Sequence, residues 1–203
     1  MPAIDFFYEF ASSYSYITAM RIAPLAQAAG VTVRWRPFLL GPIFKAQGWD
    51  TSPFNLYPAK GRYMWRDLER LCEAQGLTWR RPSTFPRGSL LAARVACRYA
   101  EAPWVAPFIR AVYEANFVRD EAIGEPTVVA ACLERAGQEP QPILESAQTP
   151  AVKELLRQQN ERALRLGIFG APTFVVGDEL FWGNDRLEHA LAWHARTANP
   201  RHV

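Results

Sequence analysis

The chain has 203 residues, 49% of them hydrophobic and 21% charged. This composition supports a buried core and argues against a disordered or membrane-embedded chain. A net charge of +3, from 23 basic and 20 acidic side chains without a long basic run, does not imply nucleic acid as a partner and leaves a small anionic ligand open. No apolar run approaches bilayer-spanning length. The first residues, Asp5 and Glu9 among them, lack the basic-then-apolar pattern of a secretory leader.

Ile4 to Phe10 is short and dense in aromatics, which predicts a buried strand. From Ser13 the apolar residues Ile17, Met20, Leu25 and Ala28 recur at helical spacing until Gly30 supplies a stop. Val31, Val33 and Trp35 then alternate with polar residues up to Pro37, which predicts a second strand. A strand-helix-strand unit of this kind gives two parallel strands with a right-handed crossover.

The middle of the chain reads as helical. Lys60 to Ala74 carries Met64, Leu68, Leu71 and Cys72 on one face and ends at Gly76. Further helical patterns span Leu90 to Ala100, Trp104 to Asn116, Thr127 to Ala136 and Ala151 to Leu166. In the last, Val152, Leu155, Leu156, Ala163 and Leu166 read as a core-facing stripe. Prolines punctuate the region, often at helix starts. The Arg62, Arg66 and Arg70 series is expected to be a solvated face.

After Gly167 the strand signature returns in "APTFVVGDELFWG", with Gly177 and Asp178 as a hairpin turn. A last helix follows a cap at Asn184 or Asp185. The order is strand, helix, strand, helical block, strand, strand, helix. It predicts an α/β, thioredoxin-like mixed sheet split by a large helical insertion, residues 1–43 and 167–203 forming the sheet domain and 44–166 the insertion.

Cys72, Cys97 and Cys132 are widely spaced and form no CxxC, so they are expected to be buried structural thiols in a reducing cytosol. They show no metal-ligand spacing with His189, His194 or His202. Ser12 and Ser15 instead occupy a CxxC-like spacing at the turn into the first helix.

The stretches "DFFYEFASSYSY" (Asp5 to Tyr16), "GIFGAPTF" (Gly167 to Phe174) and "LFWGNDRL" (Leu180 to Leu187) together resemble the 2-hydroxychromene-2-carboxylate isomerases. These are grouped with the kappa-class glutathione transferases in the DsbA-like branch of the thioredoxin superfamily. Where that family carries Ser-Pro-Tyr, this chain has Ser12, Ser13 and Tyr14. The resemblance implies glutathione as cofactor, its thiolate held at Ser12 and its backbone paired at Ala171 before a cis Pro172. Trp182, Gly183, Asn184 and Asp185 would receive the γ-glutamyl end. Lys45, Asn55 and Phe85 would receive a small aromatic carboxylate substrate.

The implied activity is cis-trans isomerisation in a cytoplasmic homodimer of an aromatic-degradation route. A glutathione transferase and a glutathione-binding module without turnover are the alternatives, and the lack of CxxC argues against a disulfide oxidoreductase. Taken singly, Ser12 and Asp185 also read as helix caps, Pro172 as a turn, Lys45 as a surface charge and Phe85 as a core aromatic.

Overall fold

The computed structural model describes residues 3–198. Its elements are β1 (Ala3–Tyr8), α1 (Ser13–Ala28), β2 (Thr32–Pro37), α2 (Leu40–Ala46), α3 (Pro53–Leu56), α4 (Pro58–Ala74) and α5 (Leu90–Arg98). They continue with α6 (Val105–Phe117), α7 (Pro126–Arg135), α8 (Pro140–Ala147), α9 (Pro150–Arg165), β3 (Thr173–Val176), β4 (Glu179–Trp182) and α10 (Leu187–Ala198). The four strands form one mixed sheet in the order β2-β1-β3-β4, with β1 parallel to β2 and antiparallel to β3. This is the thioredoxin-like α/β architecture expected from the sequence.

β1 is apolar apart from Asp5 because both its faces are covered. Alternation sends Ile4, Phe6 and Tyr8 into the larger buried cluster and Phe7 into a smaller one with Phe38, Ile43, Ala163, Ile168 and Val175. The larger cluster also holds Leu68 of α4, Val95 of α5, Val112 of α6 and Leu133 of α7. The helices of the middle region therefore share one core with the sheet. Asp5, on the Phe7 face, is buried and paired with Arg34 (2.7 Å), Arg36 (2.9 Å) and Arg162 (2.7 Å).

Three short helices, α2, α3 and α8, escape the sequence pattern. α2 contains Gly41-Pro42, α3 begins at Pro53, and α8 reads Pro-Gln-Pro. Each proline falls in a first turn, where a backbone N–H would have no intrahelical acceptor, and the helices that follow are too short to show an apolar period. The stripe on α9 is narrower than expected. Val152, Leu156 and Ala163 are buried, whereas Leu155 is 39% exposed and lies on a shallow cleft with Trp35 and Cys97. Cys72 and Cys132 are buried as expected, but Cys97 is only half-buried.

Among the described residues no helix is long and apolar enough to cross a membrane.

Candidate active site

β1 delivers the chain into a tight turn. The Ser12 N–H donates to the Glu9 carbonyl at 3.0 Å, and Ser12 then takes the N-cap position of α1 with extended φ/ψ of −77° and 117°. Its Oγ accepts the Ser15 N–H at 3.3 Å and donates to the Ala171 carbonyl at 3.0 Å. The cap reading and the site reading thus describe one hydroxyl, bonded both to the helix start and to the loop before β3. The Ala171–Pro172 bond is cis, as expected. Ser13, where the related pattern has proline, donates its hydroxyl to the Met64 sulfur of α4 at 3.2 Å.

The hairpin positions the second motif. Gly177 makes the β3-β4 turn at φ 61°, Thr173 pairs with Trp182, and the Gly183 N–H donates to the Pro172 carbonyl at 2.9 Å. Trp182 to Asp185 therefore lie beside Ala171-Pro172. Trp182 is 53% exposed and meets Phe169 edge-on at 4.8 Å. Gly183 has φ 120°, a conformation that L side chains rarely adopt, and a Cβ there would come within 2.5 Å of the Asp185 carboxylate. Asn184 is buried and accepts the Thr18 hydroxyl of α1 at 3.0 Å, tying the motif to the helix that Ser12 caps. Asp185 is exposed beside Arg186, at 3.2 Å. Asn184–Arg186 form a 3-10 turn leading into α10, so the capping signal read at this point marks a turn one step before the helix proper.

Ser12, Ala171, Trp182, Gly183, Asn184, Asp185 and Phe85 all line one cavity of about 1180 Å³, roomy enough for a tripeptide and a small aromatic acid together. Aromatic walls come from Tyr14, Phe44, Trp49 and Phe54, and Phe85 is held edge-on against Trp65 at 4.8 Å.

Lys45 and Asn55 are exposed and are not lining residues. On α2, Ile43 enters the core and Phe44 lines the cavity wall. One further step of about 100° carries Lys45 past that wall. Asn55 spends its amide on Thr51 (3.3 Å) and on the Phe85 carbonyl (3.1 Å), so it braces the Phe85 loop.

The cations that do line the cavity are Lys60, Arg87 and Arg186. Arg87 is committed to Asp120 and Asn116. The Ser83 amide and Arg87 hold the Asp120 carboxyl down at about 2. Lys60, over the Tyr57 ring at 5.5 Å, pairs with no carboxylate among the described residues.

The three thiols do not supply the missing cysteine chemistry. Burial pushes Cys72, Cys97 and Cys132 up to about 11 each, leaving them protonated near neutral pH.

A further lining residue was not anticipated. Glu9 is 6% exposed, accepts the Ala11 N–H at 2.9 Å and accepts the Ser89 hydroxyl. Burial raises its carboxyl to about 7 against the opposing pull of these two bonds. Unfolding returns it to its ordinary value near 4.5, so the fold prefers the protonated form. Stability is therefore full below pH 4.5 and falls as pH rises to about 7, by at most about 3 kcal/mol. Glu9→Gln is expected to gain on the wild type across that window in thermal melts and to keep the gain at pH 8. A stability difference that is flat with pH would contradict the burial of a titrating carboxyl.

A mixed sheet, a serine capping the first helix beside a cis-proline loop, and no CxxC define a thioredoxin-like protein without the redox pair. A family model for the DSBA-like thioredoxin domain matches residues 3–192. The chain belongs to that family, in the branch of the 2-hydroxychromene-2-carboxylate isomerases and kappa-class glutathione transferases. It is 29% identical over 190 residues to 2-hydroxychromene-2-carboxylate isomerase of Sphingobium xenophagum, spanning 91% of this chain and 94% of that one. It is 30% identical over 199 residues to glutathione S-transferase kappa 1 of Homo sapiens, spanning 91% and 87% respectively. A solved 2-hydroxychromene-2-carboxylate isomerase superposes with a TM-score of 0.82 at 27% identity, covering 97% of each chain.

Proposed function

We propose that the protein is a glutathione-dependent cis-trans isomerase acting on 2-hydroxychromene-2-carboxylate or a related aromatic pyruvate, as a homodimer in a reducing cytosol. The observation that carries this reading is the buried Ser12 hydroxyl, set at the N-terminus of a 16-residue helix in a large, aromatic-walled cavity that holds no cysteine. The lining residues fit the tripeptide. Gly183 keeps the approach to the 3-10 turn free of a Cβ, Trp182 stands exposed at its rim, and Asp185 offers a carboxylate to an ammonium.

Glutathione, when bound, would supply a thiolate nucleophile for reversible addition to the ring-opened substrate. The protein's share is electrostatic and positional. The Ser12 hydroxyl exchanges its Ala171 acceptor for the sulfur anion, and the α1 N-terminus adds its unpaired amides and dipole. Ala171 pairs with the peptide backbone in the manner of strand addition. Trp182, Gly183, Asn184 and Asp185 hold the γ-glutamyl end. Phe85 stacks on the substrate ring and Asn55 fixes its loop. Lys60, which lines the cavity, takes the carboxylate role first read for Lys45.

The second reading, a kappa-class transferase, is favoured by the human relative's name at 30% identity. It uses the same thiolate but joins it permanently to an electrophile. Product analysis separates the readings. Incubation with 2-hydroxychromene-2-carboxylate and glutathione is expected to give the trans-benzylidenepyruvate isomer and no adduct. A stable conjugate with a generic electrophile and no isomerisation would make the protein a transferase. Thermal stabilisation by glutathione with neither product would leave a binding module.

A further inference from the structure

The mechanism above leaves one proton unassigned: glutathione enters as a thiol, and the site must remove its proton before the sulfur can act. We propose that Glu9 is the acceptor of that proton, an inference that rests on glutathione being the cofactor. Glu9 lines the same cavity as Ser12 and is joined to it by the turn. The Ser12 N–H bonds to the Glu9 carbonyl at 3.0 Å, and the Ala11 N–H, one residue from Ser12, bonds to Glu9 Oε2 at 2.9 Å. A carboxylate that accepts from a backbone amide and a hydroxyl keeps lone pairs for a third donor. Asp50, Asp67 and Asp185 also line the cavity, but Asp67 is bonded to Tyr14 and Arg70 and Asp185 to Arg186, and Glu9 is the carboxylate in the turn that carries Ser12.

The groups around Glu9 keep its titration in the useful range. Tyr113 of α6 donates to its main-chain carbonyl at 3.0 Å, and burial holds the phenols of Tyr113 and Tyr8 protonated well beyond neutral pH. Ser89, just before α5, is a neutral donor. Arg87, two residues earlier, is bound to Asp120. Lys60 of α4 shares the cavity. No ion pair to Glu9 exists among the described residues, so it is not locked in its charged form as Asp5 is by three arginines.

In the proposed step the S–H bond breaks, its electron pair stays on sulfur, and the proton forms an O–H bond on Glu9. Charge moves from carboxylate to thiolate with none created. A carboxyl at about 7 faces a thiol whose value falls from about 8.5 toward neutrality at a helix N-terminus, so the transfer is close to balanced and reverses when the cofactor leaves.

The test is infrared difference spectroscopy at pH 8 with glutathione and with S-methylglutathione, paired with calorimetry in two buffers of different ionisation enthalpy. In the wild type, the negative sulfur beside Glu9 disfavours its ionisation, so glutathione is expected to produce part of the C=O stretch of a protonated carboxyl together with ultraviolet thiolate absorbance, and to release clearly less than one proton to buffer per thiolate formed. S-methylglutathione, which has no thiol proton, is expected to bind without that band. Glu9→Gln, confirmed folded by its melt, is expected to lose the carboxyl band and release close to one proton per thiolate formed. Equal proton release by both proteins, or a thiolate without the carboxyl band in the wild type, overturns the role of Glu9 while leaving glutathione as cofactor. Failure of the wild type to bind either thioether or thiol overturns the cofactor assignment and the Glu9 role with it.

Discussion

Ser12→Ala is expected to lower kcat/KM for glutathione-dependent isomerisation by about 100-fold. Removing one preorganised donor from a developing anion costs on the order of 10²- to 10³-fold in rate, and here the helix N-terminus remains to share the charge. The same substitution removes an N-cap, because Ser12 Oγ accepts the Ser15 N–H, and that costs about 1 kcal/mol of stability. The two effects are separated by Ser12→Thr, which retains a hydroxyl able to cap. Assayed well below the melting temperature, the threonine variant should keep most of the activity that alanine loses. An alanine variant within about threefold of the wild type would remove Ser12 from the chemistry and leave it as a cap.

The second large effect is expected at Gly61, in the first turns of α4. A Cβ there would stand 2.3 Å from the Phe54 carbonyl oxygen of α3, a backbone atom that cannot turn away. Two terms oppose each other. Alanine in a helix gains about 1 kcal/mol over glycine, whereas forcing apart two packed backbones costs about 1–3 kcal/mol or more. At 2.3 Å the clash dominates, so Gly61→Ala should be destabilised. Ser52, Pro53 and Phe54 form part of the cavity wall, so relief of the clash by moving α3 should raise KM for the aromatic substrate several-fold. Glutathione affinity should be unchanged, because Ala171 and Trp182 to Asp185 lie on other elements. A more stable variant with unchanged KM would contradict the close approach of α3 and α4.

These effects show what a sequence carries and what it withholds. The opening strand-helix-strand unit and the β3-β4 hairpin were legible because their signals are local. Aromatic density in β1, alternation in β2 and the Gly177-Asp178 pair each act within a few residues. Ser12, Ala171 and Trp182 to Asp185 were legible as motifs, and the structure places them on one cavity through the Gly183 to Pro172 bond. The short helices α2, α3 and α8 were hidden because 7, 4 and 8 residues are too few to show a helical apolar period.

Side-chain placement was least legible where a single residue of helical rotation decides it. Phe44 lines the cavity and Lys45 does not, and Leu155 is exposed while its neighbour Leu156 is buried. Glu9 was noted only as an acidic residue near the N-terminus, because no local pattern marks the last carboxylate of an aromatic stretch as part of a cavity. Only the packing of Ser89 and Tyr113 around it shows that it is enclosed. Asp5 was likewise seen only as a charge near the N-terminus. Its burial depends on arginines brought from β2 and from α9, the latter 157 residues away.

The central claim is that an external thiol does the work a cysteine would do at Ser12. It is tested most directly by following 2-hydroxychromene-2-carboxylate absorbance at increasing glutathione, with free thiol titrated before and after many turnovers. The account predicts no enzymatic rate without glutathione, a rate that saturates as glutathione is raised, and an unchanged thiol count. Turnover in the absence of glutathione, or loss of one thiol per product formed, would contradict it.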